Sequence, residues 1–233
     1  MAGSMGMIKG RIVDLSHKLY PGKEEYHLEL ETHFTDQLLP QYKRDSEVWY
    51  ILQDVHMSSH CGTHIEFPYH HNRHGMDAGT FPLERLIGDC HLLDFRHKQA
   101  GGVATSEPVT QEELRRYADQ IKPGDMVLFS FNCAQFYRTP RSHDRPYLTY
   151  EALEWLALEK KIGLIGSDAS GIELKGVPNQ PGHQLLMDHE IPIIESAANL
   201  DQLSKSRFVL FALALCIEGL DACPVRLTAI EEE

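Results

Sequence analysis

Cysteine is sparse in this 233-residue chain and forms no pattern: Cys61, Cys90, Cys133, Cys216 and Cys223 are odd in number, and no two are spaced as CxxC. This excludes a disulfide framework and a cysteine-based zinc site, and a reducing cytoplasmic compartment is the simplest expectation. Long apolar runs are missing as well. The best candidate, Phe208 to Ile217, is about half of a membrane span, so no membrane partner is expected. No GxGxxG opens a helix, and there is neither a GxxxxGKS phosphate loop nor a GxSxG nucleophile elbow, which counts against nucleotide enzymes and serine hydrolases. Basic charge is in deficit: 22 Lys and Arg stand against 34 Asp and Glu, a formal net charge of -12. Phosphate binding calls for a basic surface, so nucleic acid is not an expected partner. One local basic cluster, Arg138, Arg141, His143 and Arg145, reads as a solvated loop. The start, Met1-Ala2-Gly3-Ser4-Met5, lacks the basic and apolar regions of a signal peptide. Residues 1–7 read as an expression scar or a disordered start, ahead of one domain over 8–233. No linker, repeat or low-complexity tract divides that span.

Histidine, by contrast, is plentiful, with 14 residues, and it clusters. The stretch His60-Cys61-Gly62-Thr63-His64-Ile65-Glu66-Phe67-Pro68-Tyr69-His70-His71 packs four imidazoles and a carboxylate into one short segment. Imidazole nitrogen and carboxylate oxygen suit zinc, manganese or iron, and histidine also carries protons near neutral pH. With so many histidines some clustering arises by chance, but closely spaced ligand types on one face are a stronger signal than a lone pair. Gly62 and Pro68 argue against a continuous helix. An extended chain with a tight bend would put His60, His64, Glu66 and His70 on one face, because their offsets are even, and would turn His71 the other way.

The remaining chain interleaves strands and helices, which predicts an α/β domain. Strands are expected at 11–15, at 49–52 leading into the histidine segment, and at 91–95, 126–129, 164–166, 191–194, 208–211 and 225–230. Leu83 to Leu86 reads as a short helical turn. Thr110 and Glu113 form a capping box for a helix whose apolar face is Leu114, Tyr117, Ala118 and Ile121. Thr149 caps a second helix running through Lys161, with Gly163 as its stop. Residues 132–148 read as a long surface loop. Three downstream residues are further site candidates. His183 follows Pro181-Gly182 into a helix, Glu195 ends an apolar strand, and Asp168 ends another. Polar residues at strand ends of α/β folds often form the site; otherwise they are caps or loop residues.

At this point the chain resembles the cyclase-like metal-dependent hydrolase family, which includes bacterial kynurenine formamidase and isatin hydrolase. The family motif H-x-G-T-H-x-D-x-P-x-H is matched from His60 to His70. Supporting matches are Val13-Asp14-Leu15-Ser16-His17, Pro82 to Gly88, Pro123-Gly124-Asp125, Gly166-Ser167-Asp168 and the spacing of His183 and Glu195. The resemblance implies a single-domain β/β/α fold of the swivelling, kynurenine formamidase-like type, with a mixed sheet and flanking helices. It implies metal ligands at His60, His64, Glu66, His183 and Glu195, with His70 as general acid/base. It further implies one or two divalent ions, Zn2+ or Mn2+, a small-molecule substrate, and a homodimer or homotetramer in which the partner's N-terminal region lies near the site. The function implied is hydrolysis of a C–N amide, cyclic amide or lactone. The alternatives are a metal-dependent cyclase or dehydratase, or a metal-binding homologue without turnover. Two departures stand out. Glu66 replaces the family Asp, and Ser130-Phe131-Asn132-Cys133 stands where the family commonly has Thr-Gly-Trp.

Overall fold

The strand Met126-Val127-Leu128-Phe129 is apolar at every position, and the reason is visible in where alternate residues go. In the computed structural model, which describes residues 10–43, 45, 47–102 and 104–232, Val127 and Phe129 enter one buried cluster, and Met126 and Leu128 enter another. Ile193 and Ile194 divide in the same way, as do Ile165 and Leu164. A central sheet covered on both faces therefore separates the two clusters. Each fully buried side chain of this size contributes about 1.5–3 kcal/mol. The expectation for residues 1–7 falls outside the described residues.

In chain order the strands are β1 (Arg11–Asp14), β2 (Leu28–Phe34), β3 (Ile51–Met57), β4 (His64–Glu66), β5 (Ile87–Asp94), β6 (Pro108–Val109) and β7 (Met126–Ser130). They continue with β8 (Tyr147–Leu148), β9 (Leu164–Ser167), β10 (Ile193–Glu195), β11 (Arg207–Phe211), β12 (Ala222–Pro224) and β13 (Thr228–Glu231). The helices are α1 (Thr35–Leu38), α2 (Gln111–Leu114), α3 (Tyr150–Glu154) and α4 (Pro181–Asp188). Nine strands form one mixed sheet in the order β1-β13-β11-β5-β7-β9-β10-β4-β12. Its middle, β5-β7-β9-β10, is parallel, and the flanks are antiparallel. This is the expected single domain with a mixed sheet and flanking helices. β2 and β3 form a separate antiparallel hairpin, largely exposed on both faces.

Several local expectations change. The capping box is present, with Thr110 Oγ1 accepting from the Glu113 N–H at 3.3 Å and Glu113 Oε2 accepting from the Thr110 N–H at 3.0 Å. The helix is shorter than predicted and tightens into a 3-10 turn over Arg115–Tyr117. Pro123 disfavours helix at Lys122, and the chain has to drop into β7. The second helix passes from α3 into a π-helical stretch, Trp155–Lys160, and ends at Lys161 in the left-handed conformation. Gly163 is therefore not its stop. It serves a close approach, since a Cβ there would lie 2.6 Å from the Gly124 carbonyl oxygen. The segment 132–148 is not simply a surface loop: it holds a 3-10 turn at Ala134–Phe136, the strand β8 and the buried side chain of Arg145.

The histidine segment also departs from the extended reading. Gly62 has φ +71, and a side chain there would collide with Leu19. Only His64 to Glu66 is strand, and Pro68–His70 is a 3-10 turn. The even-offset residues converge because the chain bends at both ends of β4, not because one strand presents them all. Nor does His71 point away: its ring stacks on His183 with centroids 5.5 Å apart, and its Nε2 is 2.9 Å from Gln180 Oε1.

Candidate metal centre

Strand register brings the site together. β4 lies between β10 and β12, with His64 directly opposite Glu195 and Glu66 opposite both Ile193 and Ala222. Paired residues in an antiparallel ladder share a face, so His64 and Glu195 project into the same space. His64 Nε2 is 3.8 Å from Glu195 Oε2 and 3.7 Å from Glu66 Oε1. The turn before β4 delivers His60, whose Nδ1 is 3.1 Å from Glu66 Oε1 and 3.2 Å from His64 Nε2. Thr63 braces this turn: its hydroxyl donates to the Ser196 carbonyl at 2.6 Å and accepts from the His17 N–H at 3.0 Å.

His183 arrives from the first turn of α4, where Pro181 is well placed because its missing N–H would have no helical partner. Glu173 caps this helix, accepting from the N–H groups of Gly182 at 2.9 Å and His183 at 3.0 Å. The same carboxylate accepts from His183 Nδ1. His183 Nε2 then faces Glu195 Oε1 at 3.7 Å and Glu66 Oε2 at 3.8 Å.

A shared design runs through the three imidazoles. Each gives one ring nitrogen to a fixed acceptor: His64 Nδ1 to the Gly62 carbonyl at 2.9 Å, His60 Nε2 to Asp221 Oδ2 at 3.0 Å, and His183 Nδ1 to Glu173. Each turns its other nitrogen toward Glu66, and those of His64 and His183 also face Glu195. Metal-binding histidines are held in just this way, with the outer N–H fixing the tautomer and the ring plane. Glu66 supplies a second test. It is buried, yet its Oε2 accepts no hydrogen bond among the described residues. An ionised oxygen without a donor is costly to bury and suits a cation.

The electrostatics agree. Burial works against ionisation of Glu66, but hydrogen bonds from His60 and His64 and the charges of His64 and His183 hold it well below the usual carboxylate range. Burial also opposes protonation of His60 and His183. Glu66 and then Asp221 outweigh it at His60, raising it to about 9. Glu173, Glu195 and Glu66 raise His183 to about 10. The carboxylates thus draw protons onto the imidazoles, and a divalent ion would displace those protons. The donor set fits a divalent metal.

His70 sits beside the cluster. Its Nδ1 is 2.9 Å from Asp221 Oδ2, and its Nε2 is 3.8 Å from Glu66 Oε1. Six of the seven residues singled out by sequence, His60, His64, Glu66, His70, His183 and Glu195, therefore converge. Asp168 does not join them; it is buried elsewhere, accepting from the N–H groups of Phe131 at 2.9 Å and Cys133 at 3.0 Å. Asp221 and Glu173 were missed, since neither belongs to a motif. Also missed was the wall of the site. Tyr137 donates to Glu24 at 2.7 Å, Arg138 pairs with Glu24 at 3.1 Å, and His143 meets Glu25 at 2.6 Å. Of the basic cluster read as a solvated loop, Arg138 and His143 are instead tied across to residues 24–25. The cluster borders a cavity of about 360 Å³ that Glu66, His183 and Glu195 also line.

Mixed sheet, short helices and a buried His–carboxylate cluster together define a single-domain α/β protein with a metal-type centre. The Cyclase family model matches residues 13–174, more than half of the chain, and the chain belongs to that family. A relative named kynurenine formamidase from Erythrobacter litoralis is 31% identical over 166 residues, covering 71% of this chain and 70% of that protein. Another of the same name from Salinibacter ruber is 24% identical over 215 residues, covering 92% and 95%. Among solved structures, isatin hydrolase A from Labrenzia aggregata shares the fold with a TM-score of 0.76 at 23% identity, over 96% of this chain and 94% of that one.

Proposed function

We propose that this protein is a metal-dependent hydrolase that opens a C–N amide, cyclic amide or lactone in a small carbonyl substrate. The observation that carries the reading is the set of three imidazoles, each anchored through one nitrogen and facing Glu66 with the other, with Glu195 shared by His64 and His183. Relatives named as formamidases support the reaction class. In this reading His60, His64, Glu66, His183 and Glu195 hold one or two ions, Zn2+ or Mn2+, both of which suit nitrogen and oxygen donors. A divalent ion held there would polarise a carbonyl and lower the proton affinity of water.

The chain's own part is proton handling and positioning. Asp221 fixes the Nδ1 side of His70, which leaves Nε2 toward the cluster to carry a proton to the leaving group. Glu173 and the Gly62 carbonyl set the ring planes of His183 and His64. The 24–25 and 137–143 contacts hold the segment that carries His143 against the site.

The hairpin supports the homodimer or homotetramer expectation. Leu28, Leu30 and Phe34 share one face with Met57, Val55 and Ile51, and Val55 is 58% exposed on it. Cytoplasmic residence rests on the cysteines, all five of which are free and four buried. No helix among the described residues is long and apolar enough to cross a membrane. The test is hydrolysis of a panel of formamides, cyclic imides and lactones by metal-loaded and chelator-stripped protein. Metal-dependent turnover of at least one class is expected. A metal-replete, folded protein inert across the panel would overturn the reading.

A further inference from the structure

Arg145 is the least accounted-for charge in this molecule. Its residue is 8% exposed, yet it pairs with no carboxylate among the described residues. Its Nη2 donates to the Glu173 carbonyl oxygen at 3.3 Å and its Nη1 reaches Ser170 Oγ at only 3.5 Å. Its Nε has no hydrogen-bond partner among the described residues. A buried guanidinium normally has its planar donor fork filled, because desolvating the charge without a counter-ion is costly.

The obvious counter-ions are engaged elsewhere. Glu173 spends its carboxylate on the α4 N-terminus and His183. Glu195 faces His64 and His183. Room for the guanidinium is nevertheless built in. Gly171, at φ +131, lies directly against it, and a Cβ there would collide with the guanidinium. Arg145 also lines the same cavity of about 360 Å³ as Glu66, His183 and Glu195, with the exposed Lys175 on that wall. In a protein of net charge -12, two cations on the wall of one acid-rich cavity are not explained by general surface composition.

We infer that Arg145, assisted by Lys175, forms an anion subsite that holds a carboxylate of the substrate, so that the amide or lactone to be opened belongs to a small organic acid. A planar carboxylate matches the guanidinium edge and can be taken by two N–H donors at once. This deepens the hydrolase reading and rests on it in one respect, that the cavity is the substrate site.

The test uses full-length, metal-loaded protein and two probes of one shape, benzoate and its neutral counterpart benzamide, titrated calorimetrically. Wild type is expected to bind benzoate about tenfold or more tightly than benzamide, the usual scale for a charge-assisted pair. Arg145→Met should abolish that preference while metal content stays at the wild-type level, and Lys175→Met should weaken it by about threefold. Should Arg145→Met fail to fold, the wild-type ratio and Lys175→Met still decide the matter. Equal affinity for the two probes in wild type overturns the subsite. So does a preference that survives Arg145→Met, which would place benzoate on the metal. So does loss of metal with loss of benzoate, which would make Arg145 a support for the metal centre. No turnover enters these readings, so an inert panel in the hydrolysis assay counts against the reaction alone.

Discussion

Glu173→Gln is the sharpest probe of the metal centre, because it alters one atom and touches none of the ligating nitrogens or oxygens. The carboxylate accepts three N–H donors: Gly182 at 2.9 Å, His183 at 3.0 Å, and the His183 imidazole. A carboxamide has one acceptor oxygen. If that oxygen takes the place of Oε1 it keeps both donors of His183, and the new NH2 opposes the N–H of Gly182. One buried donor left unmatched costs about 1–3 kcal/mol. Loss of negative charge at the start of α4 removes about 0.3–1 kcal/mol more. The metal-free protein should therefore be less stable by roughly 1–4 kcal/mol in denaturant melts. The imidazole also becomes a weaker ligand, because the group behind it no longer carries charge. Such partners typically matter about 10–100-fold in metal affinity. That range is the expected fall, read by competition with a chromogenic chelator. Asp188→Asn, at the exposed far end of the same helix, serves as a control and should change stability by less than about 0.5 kcal/mol. A Glu173→Gln protein that holds metal within about threefold of wild type would refute the claim that Glu173 orients a ligand.

Four further outcomes are expected. His64→Ala should lose most bound metal on elemental analysis; unchanged tight metal content would remove His64 from the ligand set. Glu66→Asp should keep metal and raise the occupancy of a second ion, since the shorter side chain restores the family residue and shifts an oxygen by about 1 Å; complete metal loss would show that the two carboxylates are not exchangeable here. His70→Ala should lower turnover by about 10²–10⁴-fold with metal near wild type, the usual range for a general acid–base group; joint loss of metal and activity would make His70 a ligand. Thr110→Ala should cost about 1 kcal/mol of stability through loss of the cap on α2, measured by chemical denaturation, and leave metal content unchanged.

Much of the centre was legible because its residues lie close in sequence and carry unmistakable chemistry. His60, His64, Glu66 and His70 fall in one short motif, and His183 and Glu195 matched by spacing. The capping box at Thr110 and the buried strand at Met126–Ser130 were legible too, since caps and apolar runs are local signals. Even offsets predict four side chains on one extended face, but Gly62 and the Pro68–His70 turn bend the chain, and His71 packs on His183 instead of turning away.

What the sequence by itself determined was the type of chemistry: nitrogen and oxygen donors at ligand spacing, without the thiolate pattern, the nucleotide loops or the positive charge of other classes. What only the tertiary structure decided was which distant residues complete it. Asp221 reaches His60 and His70 because β12 pairs with β4, and Glu173 reaches His183 because it caps α4. Arg145 sits in an unremarkable polar stretch, and nothing in its neighbours announces that it is buried beside Gly171. These contacts join segments far apart in the chain. Their existence depends on strand register and backbone approach across the sheet, and no local periodicity or propensity carries that information.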